Sequence, residues 1–458
     1  MEKRNVVLII SDTFRRDHLP CYGNNTIIAP NLSAFAEKSY IFDNFYAGSF
    51  PTVPARADIM TGKYTFTYLD WGPLPQNEIS LAGMLTESDL LTTGIADTPF
   101  LVRNGYGYDR GFQDFIWIRG QRSGPEHEDV VSLRRSEEDY FAPRTFKTAI
   151  DWLERHHDEQ FFLYIDTWDP HEPWDQPAHY VKPYYPDYAG ELVGPNYWNW
   201  KEDGYTEKDL AIAHACYCGE ITMVDRWMGL LLERLETLGL SESTVVIFTS
   251  DHGFYFGEHD TFGKTRFRWP GNARFEDGFA KGYKIGDQFS YRSPLHRELS
   301  HIPLIVHIPG AGHDRINGLA SIPDITPTIL ELANTPIPDT VQSKSLLPLM
   351  NGEAGKIHDF VVTSGSLETV GVIQKIVDDQ PRQVVELSPS TITTGGWDMF
   401  YSVKGEPVEL YNAQTDPKHT MNLAEENKEI VKAIHKDYVQ WLQDQGTPGN
   451  RLASRLEL

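Results

Sequence analysis

Two carboxylates and an imidazole follow short apolar runs at distant points of the chain. Asp12 follows the run at residues 5–10, and the pair Asp251 and His252 follows the run Thr244–Thr249. Two carboxylates and an imidazole suit a divalent cation such as Mn²⁺ or Zn²⁺, and the nitrogen ligand makes Ca²⁺ or Mg²⁺ less favoured. A single Asp or His at a strand end is more often a cap or a surface group, so the prediction of a metal site depends on all three residues together.

A second set of residues predicts the start of a helix that suits an anion. The stretch Thr52-Val-Pro54-Ala-Arg56, followed by Thr61-Gly62, places a proline at the first helical position and a glycine just after the last. The free N–H groups and the positive dipole end would stabilise an oxyanion at the Thr52 side chain, and Arg56 would add a bidentate clamp. A short structural helix with a capping threonine fits the same spacing, and this alternative stays open.

The elements that must position these residues are those of an α/β protein with a largely parallel sheet, because short apolar runs alternate with longer amphipathic segments. A third run, residues 161–165, leads into Asp-Thr-Trp-Asp-Pro-His171. Ligands of doubly wound sheets bind beyond the carboxyl ends of the strands, so we expect the three strand ends to converge on one site. Residues 207–238 carry apolar side chains at helical spacing and are expected to pack on the sheet.

Two long irregular stretches, roughly residues 174–205 and 254–294, are typical of lids, binding loops or interfaces. The first is rich in Trp and Tyr, which allows contact with a sugar, an aryl group or another subunit, so a homo-oligomer stays an alternative. After Gly352 the pattern changes to shorter strands and a final helix near residues 427–445. We therefore predict a catalytic α/β domain at residues 1–352 and a smaller C-terminal α+β subdomain at residues 353–458.

Composition narrows the choice of partners. The 458 residues include 41 basic and 65 acidic side chains, a net charge of −24, which argues against a nucleic acid or an anionic membrane. Local cations must therefore attract any anionic substrate. The N-terminal apolar run is too short for a signal segment or a membrane span, so a cytoplasmic location is expected. Cys21, Cys216 and Cys218 form neither a disulfide framework nor a four-ligand zinc pattern and are interpreted as ordinary buried or surface thiols.

These residues together resemble the sulfatases of the alkaline phosphatase superfamily, and the resemblance covers nearly the whole chain. The family signature is Cys or Ser, any residue, Pro, Ser or Ala, Arg, and then Thr-Gly; here only the first position differs, where Thr52 stands. The resemblance implies an alkaline-phosphatase-like fold, with a large mostly parallel sheet flanked by helices. It assigns metal ligation to Asp12, Asp251 and His252, nucleophilic attack to Thr52, anion binding to Arg56 and Lys264, and assistance of the leaving group to His171.

Thr52 changes what the resemblance implies for the reaction. Sulfatases oxidise the Cys or Ser at this position to formylglycine, whose hydrate attacks sulfur and then expels sulfate. Oxidation of threonine would give a ketone, and a threonine sulfate ester has no geminal hydroxyl with which to eliminate sulfate. The covalent intermediate would have to be hydrolysed at its central atom, as in the superfamily's phosphatases and phosphodiesterases, so no formylglycine is expected.

Two further departures concern the sulfate-binding residues. Many sulfatases carry a second aspartate where this chain has Thr13, and a Lys-x-His pair where it has Asp97-Thr98-Pro99-Phe100. The resemblance thus favours enzymes similar to phosphonate monoester hydrolases and phosphodiesterases with a sulfatase-like fold. They would act on a small phosphate or phosphonate mono- or diester, with one divalent metal held by Asp12, Thr52, Asp251 and His252. A sulfatase that dispenses with formylglycine and a non-catalytic binding protein on the same fold are the alternatives.

Overall fold

The computed structural model describes residues 4–102, 105–119, 136–268, 288–292, 295–367, 371–377, 380–386 and 389–458. Its strands are β1 Asn5–Ser11, β2 Tyr40–Phe42, β3 Phe45–Tyr46, β4 Leu91–Ala96, β5 Asp114–Trp117, β6 Phe161–Thr167, β7 Trp198–Asn199, β8 Thr244–Thr249, β9 Tyr255–Phe256, β10 Thr261–Gly263, β11 Arg266–Arg268, β12 Gln288–Arg292, β13 Leu304–His307, β14 Arg315–Ile316, β15 Ala320–Ser321, β16 Phe360–Thr363, β17 Gly371–Val377, β18 Gln380–Glu386, β19 Ser390–Thr394, β20 Trp397–Tyr401 and β21 Glu409–Asn412. Its α-helices are α1 Pro30–Ala36, α2 Thr52–Thr61, α3 Leu81–Thr86, α4 Phe141–His156, α5 Ala178–Val181, α6 Glu207–Thr237, α7 Arg297–Ser300, α8 Ile325–Leu332, α9 Leu347–Met350, α10 Lys428–Asp444 and α11 Gly449–Leu452.

The largest sheet has eight strands in the order β14-β2-β13-β8-β1-β6-β4-β5. The central strands β8, β1, β6 and β4 pair in parallel, and β13 runs antiparallel to both of its neighbours. The predicted large, mostly parallel sheet is therefore confirmed. Because β8, β1 and β6 are adjacent, their carboxyl ends lie side by side, and the expected convergence of the three strand ends is confirmed as well.

The central strands are covered on both faces, as their continuous apolar runs predict. In β1, Val7 and Ile9 belong to a core that includes side chains of α4 and α6, whereas Val6, Leu8 and Ile10 belong to a second core with α2, α3 and α8. Complete burial of such a side chain stabilises the fold by about 1.5–3 kcal/mol. The alternation along β1 thus anchors the strand between two layers of helices and fixes where its end projects.

Helix α6 is the long scaffold helix expected from helical spacing. The Asp209 N–H donates to the Thr206 hydroxyl at 3.2 Å, and the Thr206 N–H donates to the Asp209 carboxylate at 2.8 Å, so that a capping box sets the start of the helix. Ile221, Val224 and Leu231 are buried against the sheet side of the molecule. Of the described helices, none is both long enough and apolar enough to cross a membrane. The cytoplasmic location stays a prediction.

The C-terminal part forms a smaller α+β unit. An antiparallel sheet in the order β16-β19-β20-β21 packs with α10, which spans Lys428–Asp444 and matches the helix predicted near the end of the chain. Tyr64 and Phe66, which follow α2, belong to the same core as Val362 and Tyr438. The antiparallel subdomain is thus present and packs against the segment after α2. Its exact boundary after residue 352 stays a prediction.

Two local expectations need correction. Helix α2 begins at Thr52 itself, so Pro54 is the third helical residue and not the first. A proline fits there because N–H groups in the first turn have no intrahelical acceptor. The stretch 254–294 is not wholly irregular: it contains β9, β10, β11 and β12, while residues 269–287 and 293–294 lie outside the described part.

The aromatic stretch 174–205 is used in part for packing. It includes α5 and β7, and the Tyr184 hydroxyl accepts from the Ile28 N–H at 2.8 Å and shares a hydrogen bond with the Thr222 hydroxyl at 2.6 Å. Tyr185 and Trp200 pack against the core that contains α6. These side chains stabilise the loop on the scaffold, and a role in substrate or subunit contact stays a prediction.

Candidate active site

The carboxyl ends of β1 and β8 bring three predicted metal ligands together. Asp12 directly follows β1, and Asp251 and His252 follow Ser250 after β8. All three are fully buried, and one ligand atom of each lies within 4.8 Å of the other two. The grouping predicted from strand ends is therefore present as a compact set of two carboxylates and an imidazole.

The donor set fits a divalent cation. Asp12 Oδ2 is buried and accepts no well-aligned hydrogen bond from the described residues, although Arg56 Nη1 lies 2.9 Å away and forms an ion pair with it. His252 Nδ1 lies 2.9 Å from the Gly253 carbonyl oxygen, so Nδ1 carries the proton and Nε2 keeps its lone pair. Burial lowers the pKa of His252 to about 3, which keeps the ring neutral, the form that binds metals. These residues could hold Mn²⁺ or Zn²⁺, and their role as ligands stays a prediction.

Thr13 has an unusual backbone conformation that fixes this group. Its φ of 62° lies in the left-handed region, which costs a β-branched residue about 1–3 kcal/mol. Three contacts hold it there: its N–H donates to Asp251 Oδ1 at 2.9 Å, its hydroxyl donates to Asp12 Oδ1 at 2.6 Å, and its carbonyl accepts from the Tyr217 hydroxyl at 2.8 Å. Thr13 therefore links the two carboxylates and orients them.

Thr52 lies where the helix start meets this group. Its side chain is buried, and Oγ1 lies 3.3 Å from His252 Nε2. The segment before the helix is fixed by Asp58, which accepts from the Ser49 N–H and hydroxyl, each at 2.6 Å, and from the Thr65 hydroxyl at 2.6 Å. Gly62 closes the helix in the left-handed conformation, with φ of 64°, as its place in the sequence predicts. The start of the helix, where Thr52 is the predicted nucleophile, is therefore held by several hydrogen bonds.

Arg56 lies one turn into α2 and is fully buried among carboxylates. Its Nε and Nη2 donate to Asp166 at 3.0 and 2.8 Å, and Nη1 lies 2.9 Å from Asp12 Oδ2 and also contacts Asp251. Burial alone would lower the pKa of Arg56, but Asp166, Asp251 and Asp12 raise it well above its usual value. The guanidinium is therefore a fixed positive charge at the centre of the candidate site.

Asp166, at the end of β6, is the residue that positions Arg56. Besides the two guanidinium hydrogen bonds, its carboxylate accepts from the Thr98 hydroxyl at 2.6 Å and from the Tyr164 hydroxyl. Four donors thus surround one carboxylate, which matches its four lone-pair sites. Arg56 is thereby held in one orientation by a bidentate contact.

His171 and Lys264 lie together in a second cluster. Lys264 Nζ is 2.5 Å from His171 Nε2, while His171 Nδ1 is 2.7 Å from the Glu172 carbonyl oxygen and 3.1 Å from its carboxylate. The His171 ring packs on the Trp168 ring with centroids 3.8 Å apart. Lys264 lies close enough to influence Asp12, because its charge is among the causes that lower the Asp12 pKa. This pair can hold and exchange a proton beside the carboxylate group.

The charges of the two carboxylates are unequal. Burial and then the neighbouring Asp251 raise the pKa of Asp12 well above its usual value, against the opposing effect of Arg56. Burial would raise the pKa of Asp251 too, but Arg56 and His252 lower it below its usual range. Asp251 therefore favours its ionised form more strongly than Asp12 does, although Arg56 contacts both carboxylates.

Sequence reasoning brought seven residues to the site but missed two that support them. Asp166 was visible as the polar residue after a buried strand, a position like that of Asp12, yet no motif assigned it a partner. Asp58 lies within the predicted helix, where an isolated acidic residue gives no signal, and its acceptor role depends on a turn formed by Ser49 and Thr65. The contact of Asp166 with Arg56 joins residues 110 positions apart, whereas the contacts of Asp58 join residues nine and seven positions apart.

The eight-stranded α/β sheet thus carries buried carboxylates and an imidazole at its strand ends, beside an alcohol and an arginine on α2, a set of groups typical of a hydrolase site. The family described as Sulfatase matches residues 4–335. The chain therefore belongs to the sulfatase family and is an ester-bond hydrolase. Members of this family bind a divalent metal ion, and Asp12, Asp251 and His252 are a group that could hold one.

Individual relatives are similar over almost their whole length. The chain is 25% identical to the multifunctional alkaline phosphatase superfamily protein PehA of Trinickia caryophylli, over 96% of this chain and 94% of the relative. It is also 25% identical to an arylsulfatase of Clostridium perfringens, over 98% and 97%. The solved structure of the phosphonate monoester hydrolase of Agrobacterium radiobacter has a TM-score of 0.72 and 20% identity, over 97% of this chain and 96% of that chain. These likenesses show the fold and the family, but they do not show which class of ester the chain hydrolyses.

Proposed function

We propose that this chain hydrolyses phosphate or phosphonate esters through a covalent intermediate on Thr52. The observation that carries the proposal is the unmodified alcohol at the buried start of α2, with Oγ1 3.3 Å from His252 Nε2. An ester of threonine with phosphate or phosphonate is resolved by attack of water on phosphorus. A threonine sulfate, in contrast, lacks the hydroxyl with which formylglycine expels sulfate. The residue type therefore favours phosphoryl over sulfuryl transfer.

In the first step the Thr52 hydroxyl gives its proton to solvent water, its oxygen bonds to phosphorus, and the bond from phosphorus to the leaving oxygen breaks. A bound divalent metal would polarise the phosphoryl group and lower the pKa of an alcohol beside it. The helix N-terminus and the positive charge of Arg56 would stabilise the negative charge on the other phosphoryl oxygens. Because Asp166 holds the guanidinium bidentately, this charge needs little rearrangement during the reaction.

The leaving oxygen receives its proton from the His171 and Lys264 pair. A proton shared between Nζ and Nε2, 2.5 Å apart, can pass to the departing alkoxide or phenoxide. The Glu172 carboxylate, 3.1 Å from His171 Nδ1, stabilises the ring when it is positively charged. In the second step water attacks phosphorus from the vacated side, the same pair takes its proton, and the Thr52 oxygen leaves and regains a proton from solvent water.

Four esters separate the candidate reactions: 4-nitrophenyl phosphate, bis(4-nitrophenyl) phosphate, 4-nitrophenyl phenylphosphonate and 4-nitrophenyl sulfate. We expect turnover of phosphorus esters by the metal-loaded protein. Thr52→Ala should lower kcat/KM by about 10⁴-fold or more, as removal of a nucleophile does in other covalent hydrolases. Thr52→Ser should retain activity because it keeps the hydroxyl.

Thr244→Ala is the matched control. Thr244 is a buried threonine at the amino end of β8, away from the site, and its hydroxyl has no hydrogen-bond partner among the described residues. Its replacement should leave kcat/KM unchanged. Full activity of Thr52→Ala would disprove the covalent route.

The second candidate is sulfate ester hydrolysis without formylglycine, which the likeness to an arylsulfatase favours. Turnover confined to the sulfate ester would select it over the phosphoryl reaction. No turnover of any of the four esters, together with a lack of metal binding, would instead favour a non-catalytic binding protein on this fold.

A further inference from the structure

A second group of metal-binding side chains lies outside the candidate active site. His18 belongs to the short 3-10 helix Arg16–His18 after β1, while His214 and Cys218 lie on α6. One ligand atom of each residue lies within 4.8 Å of the other two. We propose that these three side chains bind a second divalent transition metal, with Zn²⁺ the best match, and that the ion joins α6 to the loop after β1.

The spacing on α6 favours a shared ligand. His214 and Cys218 are four residues apart, so they project from one face of the helix on successive turns. A histidine pair at the same spacing is a common way for a helix to present two ligands to one zinc ion. Here the Cys218 sulfur lies 3.7 Å from His214 Nε2 and 3.9 Å from Nδ1. Helical geometry alone therefore provides two of the three donors.

The third donor is already oriented. His18 Nδ1 lies 2.8 Å from an Asp17 carboxylate oxygen, which places the proton on Nδ1 and leaves the Nε2 lone pair facing His214 Nε2, 2.8 Å away. A carboxylate behind the distal nitrogen is the usual second contact of a histidine that binds metal. Arg15 in turn holds Asp17 through a two-point ion pair. The histidine is therefore fixed for coordination before an ion arrives.

The distances approach those of a tetrahedral zinc site. Bonds of about 2.0–2.1 Å to nitrogen and about 2.3 Å to sulfur place two nitrogens about 3.3 Å apart, and nitrogen and sulfur about 3.6 Å apart. The sulfur of Cys218 and His214 Nε2 are separated by 3.7 Å, which matches. The His18 and His214 nitrogens, at 2.8 Å, share a hydrogen bond and need to separate by about half an ångström. Rotation of the half-buried His214 ring supplies this movement and leaves a fourth position for water.

The chemistry of the three groups selects a transition metal over Ca²⁺ or Mg²⁺, because they offer two nitrogens and one sulfur. Burial, with His18 and Arg15 adding to it, lowers the pKa of His214 to about 4, so the ring is a neutral ligand. Burial raises the pKa of the Cys218 thiol to about 12, so it is inert unless a cation takes the place of its proton. Binding would release that thiol proton and move the His214 ring proton to Nδ1.

The position of the group suggests what the ion would stabilise. Tyr217 precedes Cys218 on α6; its hydroxyl accepts from the Arg15 N–H and donates to the Thr13 carbonyl, both at 2.8 Å. Thr13 is the residue in the left-handed conformation that orients the two carboxylates of the first site. A metal on α6 and His18 would thus reinforce the strained turn from the other side.

Cobalt titration of the full-length protein, freed of metal with a chelator, tests the site. A thiolate bound to Co²⁺ gives a charge-transfer absorption in the near ultraviolet, which the oxygen and nitrogen ligands of the first site cannot give. We expect this band in the wild type and its loss in Cys218→Ser. Cys216→Ser is the matched control, because Cys216 is a buried thiol on the same helix that lies outside the group. It should keep the band.

Asp251→Asn separates this inference from the proposed function, because it damages the first site and should keep the thiolate band. His214→Gln, which leaves the thiol in place, should also lose the band, and it keeps the test informative if Cys218→Ser does not fold. Two equivalents of Zn²⁺, one for each site, should abolish the cobalt signal. Absence of the band in the wild type, or its survival in both Cys218→Ser and His214→Gln, would overturn the proposal.

Discussion

Asp166→Asn should disable the candidate site without removing any group that contacts substrate. The carboxylate accepts four hydrogen bonds, two from Arg56 and one each from the Thr98 and Tyr164 hydroxyls. An asparagine has one carbonyl oxygen, and its amide nitrogen can only donate. Whichever way the amide points, its N–H groups face one guanidinium N–H and one hydroxyl. The Arg56 side chain therefore loses its bidentate partner and is pushed from its place.

The expected loss of activity in Asp166→Asn can be estimated from the burial of the ion pair between Asp166 and Arg56. Removing one partner of a buried ion pair costs about 3–5 kcal/mol, and the lower value applies because Asp12 and Asp251 still compensate the Arg56 charge. About 3 kcal/mol corresponds to about 100-fold in rate. In other enzymes, the loss of one well-positioned oxyanion donor lowers kcat by about 10²–10³-fold, which is a decrease of similar size. We therefore expect kcat/KM to fall by about 100-fold.

The assay is steady-state hydrolysis of 4-nitrophenyl phenylphosphonate, with metal content measured on the same samples. Asp97→Asn is the matched control, since Asp97 is the neighbouring buried carboxylate after β4 and accepts from the Thr145 and Thr167 hydroxyls and the Trp168 N–H without a cation. Burial and Asp169 raise its pKa to about 8, so at pH 7 it is already neutral like asparagine. Equal activities of Asp166→Asn, Asp97→Asn and the wild type would refute the positioning role.

Two further predictions concern protons. Lys264→Met should lower kcat/KM more for a phenyl ester than for a 4-nitrophenyl ester, because the poorer leaving group depends more on the proton shared with His171; equal losses on both esters would contradict this. Asp97 has a pKa of about 8 in the fold against 3.8 for the free side chain, so the stability that its neutral form contributes is complete below about pH 4 and is lost as the pH rises to about 8. Thermal midpoints should therefore show Asp97→Asn gaining stability relative to the wild type between pH 5 and pH 8, and a difference that does not vary with pH would exclude this ionisation.

The fold could be predicted further than the site because it depends on patterns that repeat along the chain. Continuous apolar runs such as β1 and β8 indicate strands covered on both faces, and parallel strands bring their ends to one edge. That reasoning placed Asp12, Asp251 and His252 correctly beside one another. It could not reveal Asp166 as the partner of Arg56, because the contact joins residues 110 positions apart and carries no periodic signal.

The boundaries of helices and the contacts between individual side chains are less predictable, because they also lack a repeating pattern in the sequence. Pro54 is acceptable at any of the first three helical positions, so its presence could not fix the start of α2 at Thr52. The contact between His171 and Lys264 depends on how β10 returns towards the end of β6, within a stretch that the sequence indicated only as a long loop. In the sequence Cys218 resembles an ordinary thiol, because His18 and His214 lie too far apart to form a recognisable ligand pattern.

The charges at the candidate site give an independent reason to expect a cation there. Asp12, Asp166 and Asp251 are fully buried, and among them lies the guanidinium of Arg56. Counted by formal charges, three carboxylates and one arginine carry two negative charges, which would repel an anionic ester. The raised pKa of Asp12, caused by burial and by Asp251, has the same origin, since a proton is the simplest way to reduce that charge. A divalent ion among Asp12, Asp251 and His252 would balance the two formal negative charges, so metal binding and anion binding should be cooperative.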